Sequence, residues 1–181
     1  QAARVEALRT ALDRNASAAL VGQHRSQYHE VGQITLIGLG AQRWRSKGGY
    51  QGVTVYFWDP SRDNCATWSD SRPVTQPGFD PVIRFRTDGP WDGCRSPQEA
   101  AQSVLRLSQA RRNAQGRISG RSATRALVTG PSQPRQLPCA VTAWSELAER
   151  AKRVFGGGLG QRHESEETVL LAPNAWGPPF Y

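Results

Sequence analysis

A long stretch of the sequence carries positive charges without negative ones. Between Glu99 and Glu146 there is no acidic residue, yet the stretch contains seven arginines. A guanidinium is always charged and binds phosphate through paired hydrogen bonds, so such a stretch is typical of a phosphate-binding surface. Arginines on strand edges can instead be ordinary solubilising charges, and the sequence leaves this alternative open. The seven are Arg106, Arg111, Arg112, Arg117, Arg121, Arg125 and Arg135.

A second group of cations is interleaved with aromatic residues. Arg43, Arg45 and Lys47 lie beside Trp44 in a predicted polar loop that ends shortly before Tyr50. Aromatic rings stack on bases while cations contact the flanking phosphates, so this composition is typical of a nucleic-acid cleft. In a strand, Trp44 would point away from both arginines, whereas in a loop the three side chains could converge.

The segment Gly52–Trp58 is a predicted strand rich in β-branched and aromatic residues. Its side chains alternate between two faces, so either the valines and Phe57 or Thr54, Tyr56 and Trp58 must face away from the core. Tyr56 and Trp58 beside Trp68 would form a stacking platform for bases. Burial of the same rings under flanking helices is the alternative.

These observations predict one binding surface made of cations and aromatic rings. The predicted nucleic-acid-binding residues are Arg43, Trp44, Arg45, Lys47, Tyr50, Tyr56, Trp58, Trp68, Arg111, Arg112, Arg117 and Arg121.

The sequence contains no recognisable catalytic or metal-binding motif, so we expect neither catalytic residues nor a cofactor. The glycines of segment 156–160 lack the Lys-Ser/Thr of a phosphate-binding loop. The three histidines, His24, His29 and His163, show no HExxH spacing. The three cysteines form no CxxC pair, although one disulfide among Cys65, Cys94 and Cys139 is possible.

The predicted order of elements is three strands, a short helix and two strands. Ile34–Ile37 opens the first strand, which runs into Gly38 and Gly40, glycines that mark coiling or a bulge. Ser96, Pro97 and Glu99 form a helix start with a capping box, and the helix at 98–102 must be short because 103–109 is extended. The last strand is predicted over 117–128. This order is that of the OB-fold, a five-stranded barrel; an SH3-like barrel or a β-sandwich remains an alternative.

The fold class that follows is α+β, with a five-stranded antiparallel OB-like barrel and flanking N- and C-terminal helices. The predicted segments are an amphipathic N-terminal helix in 1–25, the barrel in 26–131, and a C-terminal helix, short strand and Pro-rich tail in 132–181. No apolar run approaches the length of a membrane span. Because its cysteines are odd in number and widely spaced, we expect a cytoplasmic protein without a membrane partner. Its start at Gln1 suggests a piece of a larger chain.

Parts of the barrel region resemble bacterial SWIM zinc-finger family proteins, in the part outside the zinc finger. The resemblance is carried by residues 39–46, 52–59, 71–73 and 77–81. It implies a fragment of a larger bacterial protein associated with nucleic acid. The cysteines and histidine of the SWIM metal site are absent, so no metal site carries over.

The sequence therefore predicts a module that binds single-stranded DNA or RNA with little sequence preference. The alternatives are a module that docks a partner protein or another domain of its own chain, and a hydrolase acting on nucleic acid. We lean towards a binding module over an enzyme.

Overall fold

The computed structural model describes residues 27–155 and 170–171, with side chains to Lys152 in the last helix. The expected N-terminal helix and the Pro-rich tail lie outside these residues. No helix in the described ranges is long and apolar enough to cross a membrane. The larger elements are β1 (His29–Arg45), β2 (Tyr50–Asp59), β3 (Asn64–Pro73), α1 (Pro81–Arg86), α2 (Pro97–Gln102), β4 (Ser103–Arg112), β5 (Arg125–Pro131) and α3 (Trp144–Phe155). The small elements are a 3-10 helix (Pro134–Gln136) and strands β6 (Ala140–Val141) and β7 (Leu170–Leu171).

Strands β1 to β5 form one antiparallel sheet in the order β3-β2-β1-β4-β5. The α+β class and the five antiparallel strands are confirmed. The predicted barrel closure is not, because the edge strands β3 and β5 do not pair with each other. Near the β3 edge, Thr67 forms an isolated parallel bridge with Arg117 in the β4–β5 connection.

The connection between β4 and β5 differs from the predicted strand over 117–128. Arg117 and Ile118 form isolated bridges before β5, and regular pairing with β4 begins at Arg125. In the intervening turn, Thr124 N–H donates to the carbonyl of Arg121. Trp91 Nε1 donates to the carbonyl of Ser119 at 2.8 Å, and Ser119 N–H donates to the carbonyl of Arg111 at 2.9 Å, so a core side chain and a backbone bond together hold this loop.

The core lies on one face of the sheet, which we call the inner face. Val53, Val55 and Phe57 of β2 are fully buried there, as one of the two predicted alternations requires. Trp68 of β3 is on the same face, since it pairs with Val55. It packs edge to face against Trp91, with ring centroids 6.5 Å apart. Trp68 is therefore a core residue, and its predicted place in an exposed stacking platform is wrong.

Helix α2 packs on the inner side of β1, at Gly38. A Cβ at Gly38 would lie 2.6 Å from the carbonyl oxygens of Ala100 and Ala101, so only glycine permits this approach. The predicted helix start is confirmed: the Ser96 hydroxyl accepts from Glu99 N–H at 3.1 Å and Pro97 is the first helical residue. Hydrogen bonds from Arg95 lower the pKa of the Glu99 carboxyl.

Helix α1 was not predicted, because the prolines and glycines of 72–97 indicated an irregular connection. Asp80 caps this helix by accepting from Val82 N–H at 2.7 Å, and Pro81 is its first residue. An Asp-Pro start was therefore present in the sequence, although too few apolar residues follow it to show helical periodicity.

Candidate nucleic-acid interface

The opposite, outer face of β1, β2 and β3 gathers most of the predicted aromatic residues. Trp44 pairs with Gly52 in the β1–β2 register, and Tyr50, Tyr56 and Trp58 are spaced from Gly52 by even numbers of residues along β2. Because side chains alternate along a strand, these four rings share one face. They project from the face that lacks Val53, Val55 and Phe57.

Trp44 forms the centre of this surface. Its indole lies over Gly52, where an added Cβ would approach ring atom Cζ2 to 2.9 Å. Its Nε1 donates to the Thr54 hydroxyl at 2.9 Å, and that hydroxyl is 2.8 Å from the hydroxyl of Ser69. The ring is half-buried, so its orientation is fixed while part of its surface stays accessible.

The two tyrosines lie on either side of Trp44 along β2. Tyr50 is 51% exposed and follows the short turn of residues 46–49. Tyr56 is half-buried, and its hydroxyl donates to Gln42 Oε1 at 3.2 Å. Trp58, farther along β2, is only 6% exposed. Trp44, Tyr50 and Tyr56 therefore form the accessible rings of this face, and Trp58 does not.

The C-terminal elements lie close to the Trp58 end of the face. Cys65 is the cross-strand partner of Trp58, and Leu170 of β7 lines a small cavity together with Cys65. Burial raises the pKa of the Cys139 thiol, and the neighbouring Cys65 raises it further. Both alternatives for the aromatic set are thus realised along one strand: Trp58 is buried and Tyr56 is partly accessible.

Arg117 is the predicted cation that reaches the outer face. Arg117 forms an isolated parallel β-bridge with Thr67, which places the two side chains on the same side of the sheet. Its Nη2 donates to the carbonyl of Ser69 at 2.9 Å. Arg117 is exposed, so its guanidinium has donors left for a ligand. This arrangement, an exposed guanidinium held across β3 by one hydrogen bond, is compatible with both predicted alternatives, a phosphate-binding group and an ordinary edge charge.

The outer face carries no carboxylate in the described strands near Trp44. Asp59 and Asp70 are on the inner side, since Asp70 pairs with Val53 and Asp59 is next to the outward Trp58. The outward positions of β3 are occupied by Cys65, Thr67, Ser69 and Ser71. The outward positions of the described strands therefore present hydroxyls, rings and the Arg117 guanidinium.

The expected convergence of Trp44 with its two neighbouring arginines is absent. Strand β1 extends to Arg45, so the loop is only residues 46–49 and Arg43 and Arg45 point away from the indole. The Arg43 guanidinium instead lies over the Phe85 ring of α1, 5.9 Å from its centroid. Arg45 and Lys47 are exposed at the end of the sheet, beside the aromatic surface.

Arg112 is a structural residue and is removed from the predicted surface. It is 5% exposed, and its Nη1 bonds Asp59 Oδ2 at 2.5 Å, a carboxylate that is itself fully buried. Its Nη2 donates to Asn64 Oδ1 at 2.8 Å and to the carbonyl of Cys65 at 3.3 Å. A phosphate could not reach this guanidinium without breaking the ion pair.

The other arginines of the predicted β4–β5 cluster are dispersed. Arg111 is half-buried and donates through Nη2 to the carbonyl of Tyr28 at 2.6 Å. Its Nε is buried without a hydrogen-bond partner. Arg121 is exposed in the turn that precedes Thr124. The cluster therefore contributes Arg117 and Arg121 to an accessible surface, whereas Arg111 and Arg112 serve the fold.

The structure adds polar residues that the sequence did not single out. Gln42, Thr54 and Ser69 lie on the outer face between the rings and hold one another or the rings by hydrogen bonds. The strand alternation around Trp44 and Tyr56 could have placed Gln42 and Thr54 on this face. Ser69 could not be placed, because the β2–β3 register depends on the turn between them.

Two observations concern metal binding and thiol chemistry in the described residues. They contain no group of three histidine, cysteine or acidic residues able to hold a metal ion. Burial raises the pKa of the Cys94 thiol to about 11, so this thiol is protonated at neutral pH and is a poor nucleophile.

No protein-family model, curated protein or solved structure matches this chain.

Proposed function

We propose that this chain binds single-stranded nucleic acid, with little sequence preference, on the outer face of β1, β2 and β3. One observation carries the proposal: Trp44, Tyr50 and Tyr56 share a face with the anchored guanidinium of Arg117, and the described strands place no carboxylate on that face near Trp44. A single-strand site needs two things: rings on which bases stack, and cationic groups that donate hydrogen bonds to phosphate oxygens.

The weak sequence preference follows from the polar groups between the rings. The Thr54 hydroxyl accepts from Trp44 and is bonded to Ser69, so these groups already hold one another. Stacking on Trp44, Tyr50 and Tyr56 is open to every base because every base has a π-face. Lys47, Arg45 and Arg121 are exposed and supply long-range attraction for the backbone.

An OB-like assignment is part of the same proposal. It is supported by three antiparallel strands, two short helices and two further strands, with all five strands in one sheet. It is also supported by the β4–β5 connection lying along β3, where Thr67 N–H donates to Gly116 and Ile118 N–H donates to Thr67. OB-folds are partly open barrels that bind oligonucleotides on strands two and three, between these same loops. The SWIM resemblance, a larger bacterial parent protein and a cytoplasmic setting stay predictions.

A protein-docking module is the second candidate, favoured by a different set of side chains. Trp144 of α3 is 79% exposed, Ile83 of α1 62% and Leu127 of β5 60%. Exposed apolar side chains of this size are common at protein interfaces. Apolar docking weakens little with salt, whereas phosphate binding weakens steeply, so salt dependence separates the two candidates.

The experiment is a fluorescence-anisotropy titration of labelled single-stranded and double-stranded oligonucleotides with the full chain at two salt concentrations. We expect tighter binding to the single strand, and an affinity that falls as salt rises. A matched pair of variants, Arg117→Ala and Arg43→Ala, locates the site because Arg43 lies over Phe85 on the other side of the sheet. Undetectable binding at low salt, or equal losses in both variants, would refute the proposal.

A further inference from the structure

We infer that the small cavity beside Tyr56 on the outer face holds one nucleobase of the bound strand, out of line with the bases stacked on Trp44 and Tyr50. This inference rests on the proposed function and deepens it. It assigns a specific pocket to a flat heteroaromatic ring in a site otherwise made of open stacking surfaces.

The cavity has a volume of about 220 Å³ and is lined mainly by apolar surface. Pockets for drug-sized ligands measure roughly 300–1,000 Å³, so this one suits a single ring system. Its walls include Gln42, Tyr56, Cys65 and Leu170, and Gly40 lies in its lining. A sugar or a phosphate group would be poorly matched to such an apolar lining.

A backbone irregularity in β1 opens the space. The β1–β2 register shifts between Gly38 and Gly40, and Gly40 has a φ of +149°. A Cβ at Gly40 would meet no atom within 4 Å, so there is open space where a side chain would otherwise project. The paired residue across the ladder is Tyr56, whose ring therefore borders both the cavity and the aromatic surface.

A polar group at the cavity can orient a base. Gln42 Oε1 accepts from the Tyr56 hydroxyl at 3.2 Å, which leaves the amide nitrogen as the group able to donate. Every nucleobase presents ring-nitrogen or carbonyl acceptors at its edge, so this donor serves any base. The pocket would therefore strengthen binding without selecting a sequence, as the proposed function requires.

The position of the cavity also fits a continuous strand. Trp44 pairs with Gly52 of β2, and Thr54 is the one outward-facing residue of β2 between Gly52 and Tyr56. Arg117, which reaches Ser69, lies beside this interval on β3, because Ser69 pairs with Thr54. A phosphate bound at Arg117 would thus link two consecutive nucleotides, one with its base stacked on Trp44 and the other with its base in the cavity.

The test is a nuclear magnetic resonance titration of the ¹⁵N-labelled full chain with two probes, thymidine 5′-monophosphate and 2-deoxyribose 5-phosphate. The nucleotide should shift the backbone amide of Gly40 and the side-chain amide of Gln42. The sugar phosphate, which lacks the base, should leave both unshifted. If the two probes shift the same resonances, or if neither moves Gly40 and Gln42, the cavity does not bind a base.

A filled-cavity variant measures the contribution of the cavity to strand binding. Cys65→Phe places a ring in the cavity, and Leu127→Phe adds the same ring to the exposed surface of β5 as a control. Cys65→Phe should weaken oligonucleotide binding roughly tenfold, the effect of losing one stacked base, and Leu127→Phe should not. Gln42→Leu changes an exposed residue, so it tests the same cavity without the risk of misfolding.

The outcomes separate this inference from the proposed function. If oligonucleotides bind with wild-type affinity to Cys65→Phe and Gln42→Leu, the face binds nucleic acid but the cavity holds no base. If no oligonucleotide binds the unmodified chain, both the proposed function and the base pocket fall. A loss in both cavity variants, with Leu127→Phe unchanged, supports the two together.

Discussion

Replacing Arg112 by methionine should destabilise the protein without acting through the nucleic-acid surface. The substitution keeps much of the side-chain volume but leaves the Asp59 carboxylate, which is fully buried, without its cation. Asp59 Oδ1 would keep its bonds from Ser61 N–H at 3.0 Å and the Ser61 hydroxyl at 2.6 Å, whereas Oδ2 would lose its partner. Breaking one side of a buried ion pair typically costs about 3–5 kcal/mol.

Urea denaturation measures this cost, with Arg117→Met as the matched control on an exposed arginine. With slopes of about 1–3 kcal/mol per molar urea, Arg112→Met should lower the unfolding midpoint by at least about 1 M. Arg117→Met should change stability by less than about 0.5 kcal/mol. The double variant Asp59→Leu with Arg112→Met should recover part of the loss, since no charge is left buried. Equal midpoints for Arg112→Met and Arg117→Met would show that the buried pair is not what holds this end of the sheet.

Three further predictions concern the outer face and helix α2. Trp44→Ala should weaken single-strand binding tenfold to a hundredfold in a titration, and Trp44→Phe, which keeps a ring, should retain most of the affinity. Because Trp44 is half-buried, its loss should cost clearly less than the ~3–5 kcal/mol of a core tryptophan; a collapsed melting curve would assign it to the core instead. Arg117→Ala should flatten the salt dependence by about 0.7 in log–log slope, and an unchanged slope would remove Arg117 from the phosphate contacts. Glu99→Gln should lower the melting temperature at pH 7, because the lowered pKa of Glu99 stabilises the fold above its unfolded pKa of about 4.3. That difference should vanish as the pH falls through the folded-state pKa, and a difference that persists in acid would point to a cause other than charge.

The sequence predicted the sheet well where side chains alternate strictly. Val53, Val55 and Phe57 are inside and Tyr56 is outside, as one of two open alternatives required. The α2 start at Ser96 and the bulge near Gly38 and Gly40 were also predicted, because capping and glycine signals are local. Local signals depend only on a few neighbouring residues, so one sequence is enough to find them.

The sequence misplaced residues whose environment depends on distant pairing. Arg112 is an arginine next to Arg111, and nothing near it indicates that Asp59, 53 positions away, is its partner. Trp68 and Trp58 are both aromatic strand residues, yet one packs on Trp91 in the core and the other is buried on the outer face. The loop at Trp44 was predicted too long, because Arg43 and Arg45 are compatible with either a strand or a polar loop.

The most direct test of the central claim is ultraviolet crosslinking of a single-stranded oligonucleotide to the full chain, followed by mapping of the crosslinked peptides. Aromatic side chains stacked on bases should crosslink efficiently, so we predict adducts on the peptides that contain Trp44, Tyr50 and Tyr56. Trp68, which is 4% exposed in the core, is the internal control and should carry none. Crosslinks confined to other parts of the chain, with Trp44, Tyr50 and Tyr56 unmodified, would contradict a nucleic-acid site on the outer face of β1, β2 and β3.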